Sequence, residues 1–206
     1  MTRGRFVVVE GGDGSGKSTQ VARLVESLRA RGLGVVATFE PGATPAGAVL
    51  RDVLLHGAAP IAPVTEALLM AADRAQHVAE VVAPALARGD WVVSDRFVAS
   101  SLVYQGVVRG LGVDAIRALN EPAVAGVAPD LVVVLDVAEA VARGRRYGTP
   151  DRMESEATEF HESVARAYRD LARAEGWTIV DGGADTETVA TQVLDAVAGL
   201  LEDSPR

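Results

Sequence analysis

Gly11-Gly12-Asp13-Gly14-Ser15-Gly16-Lys17-Ser18, followed by Thr19, carries the spacing G-x-x-x-x-G-K-[ST]. Each residue type there has a physical use. Glycines let the backbone curl until successive N–H groups converge on phosphate oxygens, and the start of a following helix adds its positive dipole end. An ammonium supplies a point charge to β- and γ-phosphates, and a hydroxyl is a ligand for Mg²⁺. Lys17 is also the only lysine in the chain, the other nineteen of its twenty basic residues being arginine. In a sequence that uses arginine almost everywhere, a surviving lysine marks a place that needs a compact charge rather than a planar fork. The pattern asks for a nucleoside triphosphate with Mg²⁺. It says nothing about what happens next.

Two more groups of residues carry charge to places where it has a use. Asp95-Arg96 closes the third apolar run, Trp91–Val93. In an open α/β sheet ligands sit beyond the carboxyl ends of the strands, so this pair should face the glycine loop. An arginine there grips a phosphate with two N–H groups, and the aspartate holds a magnesium-bound water. Asp13, a carboxylate inside a phosphate loop, is either a turn former with its own backbone bond or a contact to a sugar hydroxyl or an arginine. Residues 143–152, Arg143-Gly144-Arg145-Arg146-Tyr147-Gly148-Thr149-Pro150-Asp151-Arg152, read as a mobile basic loop.

The elements that must position these residues follow from periodicity. Short valine-rich apolar runs at Phe6–Val9, Val35–Phe39, Trp91–Val93, Leu131–Leu135 and Thr178–Val180 alternate with stretches of helical period. Nearly continuous apolar strands suit a parallel sheet covered on both faces. Val21, Leu24, Val25 and Leu28 fall on one helical face, with Gly32 and Gly34 placed to end it. Further helices are expected over about 45–56, 65–88, 98–107, 113–125, 139–145, 155–175 and 186–201. Parallel strands need crossover helices, so the fold class is α/β, a doubly wound five-stranded parallel sheet with helices on both faces. One domain over 1–206, with a flap at about 143–152, accounts for the whole length.

Composition narrows the partners. The net charge of −8 and pI near 4.9 argue against a general nucleic-acid binder, which needs a broad basic surface. With no cysteine there is no disulfide frame, no thiolate zinc site and no cysteine nucleophile. No run reaches the ~18 apolar residues of a membrane span, and the first apolar stretch is too short for a signal peptide core. A cytoplasmic protein is expected. Without a lysine beyond Lys17, the Asn-Lys-x-Asp guanine motif of the usual GTPases and a second P-loop lysine are both impossible. Small phosphotransferases remain.

At this point the chain resembles the thymidylate kinase (dTMP kinase) family over nearly its whole length. The resemblance rests on Gly11–Thr19, Glu40-Pro41-Gly42, Ala72-Asp73-Arg74-Ala75-Gln76-His77, Asp95-Arg96-Phe97, Ser100-Ser101-Leu102-Val103-Tyr104-Gln105-Gly106, Pro129-Asp130-Leu131, and Asp151-Arg152 ahead of Phe160-His161 and Tyr168. It implies a P-loop nucleoside monophosphate kinase-like fold with a short lid, ATP and dTMP as substrates, Mg²⁺, and a homodimer.

The resemblance also assigns roles. Gly11 to Thr19 bind ATP, with Lys17 catalytic and Ser18 and Asp95 at the metal. Arg96 holds the acceptor phosphate with Arg51 as a helper, and Asp13 lies near the sugar 3′-hydroxyl and that arginine. Arg74 donates to a thymine carbonyl, Ser101 and Gln105 complete the readout of the base edge, and Tyr104 packs under the sugar. Tyr168 closes the acceptor pocket. Met70 stands where the family usually has an aromatic residue on the base, with Phe39 as a possible substitute; the loop after the second strand reads Glu-Pro-Gly-Ala. This P-loop has Gly14-Ser15 where some members place an arginine, so the arginine at the transferred phosphoryl falls to the lid. Arg145 and Arg146 are the candidates, with Arg143 and Arg152 in support. Backbone near Asp181-Gly182-Gly183 is expected at the adenine, and His77 is expected to be structural. A kinase for another or several nucleoside monophosphates, and a regulatory module that holds ATP without transfer, are the competing readings.

Overall fold

Phe6 to Glu10 form β1, and all five residues are inaccessible to solvent. A strand buried on both faces must sit inside its sheet. The computed structural model, which describes residues 3–145 and 149–202, places it at the centre of five parallel strands in the order β2-β3-β1-β4-β5. The others are β2 (Val35–Phe39), β3 (Trp91–Asp95), β4 (Leu131–Asp136) and β5 (Thr178–Asp181). Alternation along the strands divides the core. Val7 and Val9 meet Val21, Leu24 and Leu28 of α1 (Lys17–Ala30) and Val189 and Val193 of α9 (Thr186–Glu202). Phe6 and Val8 pack instead against Val78, Val82, Leu86 and Phe97 on the opposite face. The expected doubly wound α/β architecture is observed.

Between these lie α2 (Pro45–Leu55), α3 (Pro63–His77), α4 (Ala83–Ala87), α5 (Val98–Ser101), α6 (Val113–Val124), α7 (Glu139–Gly144) and α8 (Thr158–Glu175). Four strands run past the apolar stretch that reveals them and end on a carboxylate: Glu10, Asp95, Asp136 and Asp181. These charges gather at the edge of the sheet where ligands bind.

Two expected helices are remodelled. The helix expected over 65–88 starts at Pro63 and widens into a π segment over Val78–Val82 before α4. Pro84 supplies the reason, since its ring clashes with the carbonyl four residues back. The helix expected over 98–107 is α-helical only to Ser101 and then π-helical over Leu102–Val108, closed by the Arg109 N–H on the Tyr104 carbonyl at 2.8 Å. Such segments cluster at functional sites. Arg146 of the lid lies outside the described residues.

Candidate active site

The loop after β1 follows from backbone freedom. Gly11 has φ 144°, and a Cβ there would lie 2.7 Å from the Leu135 carbonyl oxygen. Gly16, at φ 92°, lets α1 start at Lys17. The Lys17 ammonium turns back to donate to the Gly12 carbonyl at 2.9 Å. Burial pushes its pKa down and Arg96 adds to this, opposed by Asp95 and Asp13. A cleft of about 530 Å³ opens beside the loop, walled by Gly14 to Gln20, Arg145, Gly182 and Asp185. That volume is in the ~300–1,000 Å³ range of small-molecule sites. Arg145 crosses it to donate to the Gly182 carbonyl at 2.8 Å, bringing together the lid base and the turn expected at adenine. Ser18 donates to Asp95 Oδ2 at 2.7 Å, so the hydroxyl and carboxylate expected at the metal are adjacent.

A second cavity lies on the other side of the loop. Its wall includes Asp13, Arg51, Met70, Arg96, Tyr104 and Gln105. Arg96 adopts φ 75°, a left-handed conformation that a non-glycine residue holds only when its surroundings demand it. The turn aims the guanidinium at the loop, where Nη1 donates to the Gly11 carbonyl at 3.1 Å and to Ser100 Oγ at 3.0 Å, and Nη2 pairs with Asp13. The Tyr104 ring lies 5.3 Å below it, and the Tyr104 hydroxyl donates to Asp13 Oδ2 at 3.3 Å. Glu10 holds the far side of this turn. Its buried carboxylate accepts from the Phe97 N–H at 2.8 Å, the Ser100 hydroxyl at 2.6 Å and the Tyr168 hydroxyl at 2.8 Å. Burial raises its pKa, against the pull of Arg96.

The packing keeps Arg74 in the wall of this cavity and places Tyr168, Phe39 and Arg152 away from their expected positions. Arg74 does form part of the cavity wall, but it is 2% exposed and its five N–H groups point at protein acceptors. Nε and Nη2 hold Glu40 Oε2 at 2.9 and 2.8 Å, Nη2 also meets the Phe97 carbonyl at 3.0 Å, and Nη1 reaches Ser101 Oγ at 3.1 Å and Asn120. Contact with a base carbonyl would cost one of these bonds. Tyr168 sits behind Arg96 on Glu10 and Ser100 and lines a small cavity under the loop rather than this second cavity. Phe39 is 45% exposed at the end of edge strand β2, outside the cavity, with Arg51 over its ring at 5.9 Å. Because side chains alternate, Thr38 takes the inward place, bonding His77 Nε2 at 2.6 Å. Arg152 is likewise tied to the Leu54 carbonyl, away from the cleft.

Glu40, Asp73 and Ser100 stand in the sequence only as motif members with no role assigned, and Asn120 is not among them. Glu40 takes Arg74 on one oxygen and His77 Nδ1 on the other at 2.8 Å, while Asp73 Oδ1 accepts from the Gly42 N–H at 2.9 Å. Asp73, Arg74 and His77 of α3 thus latch the Glu40–Gly42 loop that roofs the cavity. The clue was present: a carboxylate directly after an apolar strand, as at Glu10 and Glu40, seldom goes inside unpaired.

Asp73 yields a pH prediction. Burial first, then the Glu40 carboxylate, raises its pKa from 3.8 to about 6. A raised carboxyl binds its proton more tightly folded than unfolded, so its contribution to stability is complete below pH 3.8 and is lost as pH climbs through about 6. The loss amounts to roughly 3 kcal/mol at most. Asp73→Asn should therefore raise Tm relative to wild type at pH 8, and the gain should vanish by pH 4. A gain independent of pH would show that Asp73 is ionised at no such cost.

Similarity to known proteins agrees with this geometry. A family model described as thymidylate kinase matches residues 9–193. A thymidylate kinase of Synechococcus sp. (strain JA-3-3Ab) is 47% identical over 98% of this chain and 99% of its own length. One from Leifsonia xyli subsp. xyli is 46% identical over 96% of each chain, and one from Deinococcus radiodurans 42% over 96% and 98%. The chain belongs to the thymidylate kinase family.

Proposed function

We propose that the chain transfers the γ-phosphoryl group of ATP to dTMP, yielding ADP and dTDP. One observation carries this reading: Asp13 walls the acceptor cavity and the next residue, Gly14, walls the donor cleft. Two phosphates occupying these sites meet across a single peptide unit. Transfer is then direct and in line: an oxygen of the acceptor phosphate bonds to the γ-phosphorus as its bond to the bridging oxygen breaks, and ADP leaves with those electrons. Holding the two anions together is most of the catalysis.

Lys17 leaves the Gly12 carbonyl for the β- and γ-phosphates. Arg96, helped by Arg51, takes the acceptor phosphate, and Asp13 keeps Arg96 aimed. Arg145, at the donor cleft, and Arg146, next to it in sequence, supply charge to the transferred group. Mg²⁺, when bound, neutralises the β- and γ-phosphates. Ser18 Oγ and Asp95 fit it as hard oxygen donors, phosphate and water supplying the rest.

The base edge is read by polarity. Ser101 Oγ already accepts from Arg74, so its own proton is left for a base carbonyl. Gln105 donates its amide nitrogen to Glu66 Oε1 at 2.8 Å, which turns its carbonyl oxygen toward a base N–H. Met70 lays a thioether against the ring. Thymine offers the complementary carbonyl and N–H. With ATP and Mg²⁺, kcat/KM should be at least about tenfold higher for dTMP than for dCMP or dGMP, the effect of one mismatched polar contact. Equal efficiency on dTMP, dUMP, dCMP and dGMP would defeat the thymidylate assignment. No turnover on any would favour the ATP-holding module.

The homodimer has a candidate surface. Val49 and Val53 of α2 and Val64 and Leu68 of α3, each pair one helical turn apart, are 65, 44, 56 and 51% exposed. Patches of this kind mark interfaces. We assign the face to a second copy of the chain; sedimentation as a 21.4 kDa monomer would remove that assignment. Among the described residues no helix is long and apolar enough to cross a membrane.

A further inference from the structure

The acceptor cavity measures only about 100 Å³, short of the ~300–1,000 Å³ usual for a bound small molecule. Part of its wall must move outward to admit a nucleotide and then dock again against it. Most lining residues sit on or just beyond strands and long helices. Asp151 and Met153 do not; they belong to the segment 151–156, mostly turns, that leads from the end of the lid to α8.

This run is held at two points. Arg152 ties it to the last turn of α2, through its N–H on the Leu55 carbonyl at 3.1 Å and its guanidinium on Leu54. Arg109, at the end of the π segment, makes the other tie. Its Nη2 reaches Glu156 Oε1 at 2.7 Å, Met153 Sδ at 3.6 Å and Glu66 Oε2 at 3.3 Å, and its guanidinium carbon lies 4.9 Å from the centre of the Phe160 ring. Glu66, on α3, is 2% exposed, and its other oxygen is the acceptor that orients Gln105.

We propose that Arg109 is a positioning residue for dTMP, joining the movable wall at Met153 and Glu156 to the base-reading Gln105 through Glu66. Arg109 does not line the cavity, yet it holds residues at its base end from both sides. Docking of segment 151–156 and correct presentation of Gln105 therefore share one guanidinium, and binding of the monophosphate is linked to closure of the wall. By linkage, the base must favour the docked segment as much as the docked segment favours the base. The inference rests on the kinase reading above.

Arg109→Met keeps the apolar stem and removes the bridge; Glu156→Ala, at a half-exposed position, removes one end of it without threatening the fold. Each should raise KM for dTMP about tenfold, the effect of losing one charge-assisted hydrogen bond. KM for ATP should stay unchanged and kcat should move less than about threefold, on the same scale. The double variant should cost little more than either single one, because both cut the same tie. In hydrogen–deuterium exchange, dTMP should protect amides 151–156 in the wild type and protect them less in Arg109→Met. A wild-type KM for dTMP in both variants would overturn the proposal, as would equal rises in both KM values with a lowered Tm, the mark of a merely structural arginine. Failure of the wild type to phosphorylate dTMP would instead overturn the kinase reading.

Discussion

Lys17→Ala should lower kcat by about 10²–10³-fold, the range seen when one preorganised charge-stabilising donor is removed from an active site. The ammonium is buried at the head of α1 and rests on the Gly12 carbonyl, inside the loop whose amides face the phosphates, so only a short swing carries it to them when ATP binds. Once that swing is complete in the ATP complex, little of its energy is spent on reorganisation during transfer. KM for ATP should change much less, because the loop amides and the helix start still hold the triphosphate. Lys17→Arg should not restore the rate, since a planar fork cannot bring a compact point charge to the same place between the β- and γ-phosphates. Steady-state turnover at saturating dTMP is the measurement; near-normal activity in Lys17→Ala would take Lys17 out of the mechanism.

Arg96→Ala should fall mainly on the acceptor, with kcat/KM for dTMP reduced about 10²–10⁴-fold, two charge-assisted hydrogen bonds being at stake. The loss has a second source. Asp13 pairs with Arg96, and removing the guanidinium leaves that carboxylate facing an incoming phosphate. Adding Asp13→Asn to Arg96→Ala should therefore recover several-fold of the lost efficiency, a coupling that a double-mutant cycle reads directly. An Arg96→Ala enzyme with unaltered efficiency would show that the acceptor phosphate binds elsewhere.

Much of this was legible in the sequence because the signals are local. Glycine spacing and one lysine identify the phosphate loop, since backbone curvature is a property of a few adjacent residues. Valine-rich runs locate all five strands, and helical period locates the helices, though not the π segments within two of them. The runs stop one or two residues early, at Glu10, Asp95, Asp136 and Asp181, because hydropathy breaks at a charge while the hydrogen-bonded ladder does not.

Partnership is what a linear pattern leaves open. Arg74, Tyr168 and Phe39 all look like substrate residues when judged by type and position. The fold keeps Arg74 in the cavity wall but surrounds it with acceptors from Glu40, Phe97, Ser101 and Asn120, seats Tyr168 on Glu10, and turns Phe39 outward on an edge strand. Burial makes each choice, because a polar group removed from water must spend its hydrogen bonds on whichever neighbours are in reach. Those neighbours come from segments up to 158 positions apart in the chain, as Tyr168 and Glu10 are. The sequence by itself determined which chemistry is available; the tertiary structure decided which side chains remain available to perform it.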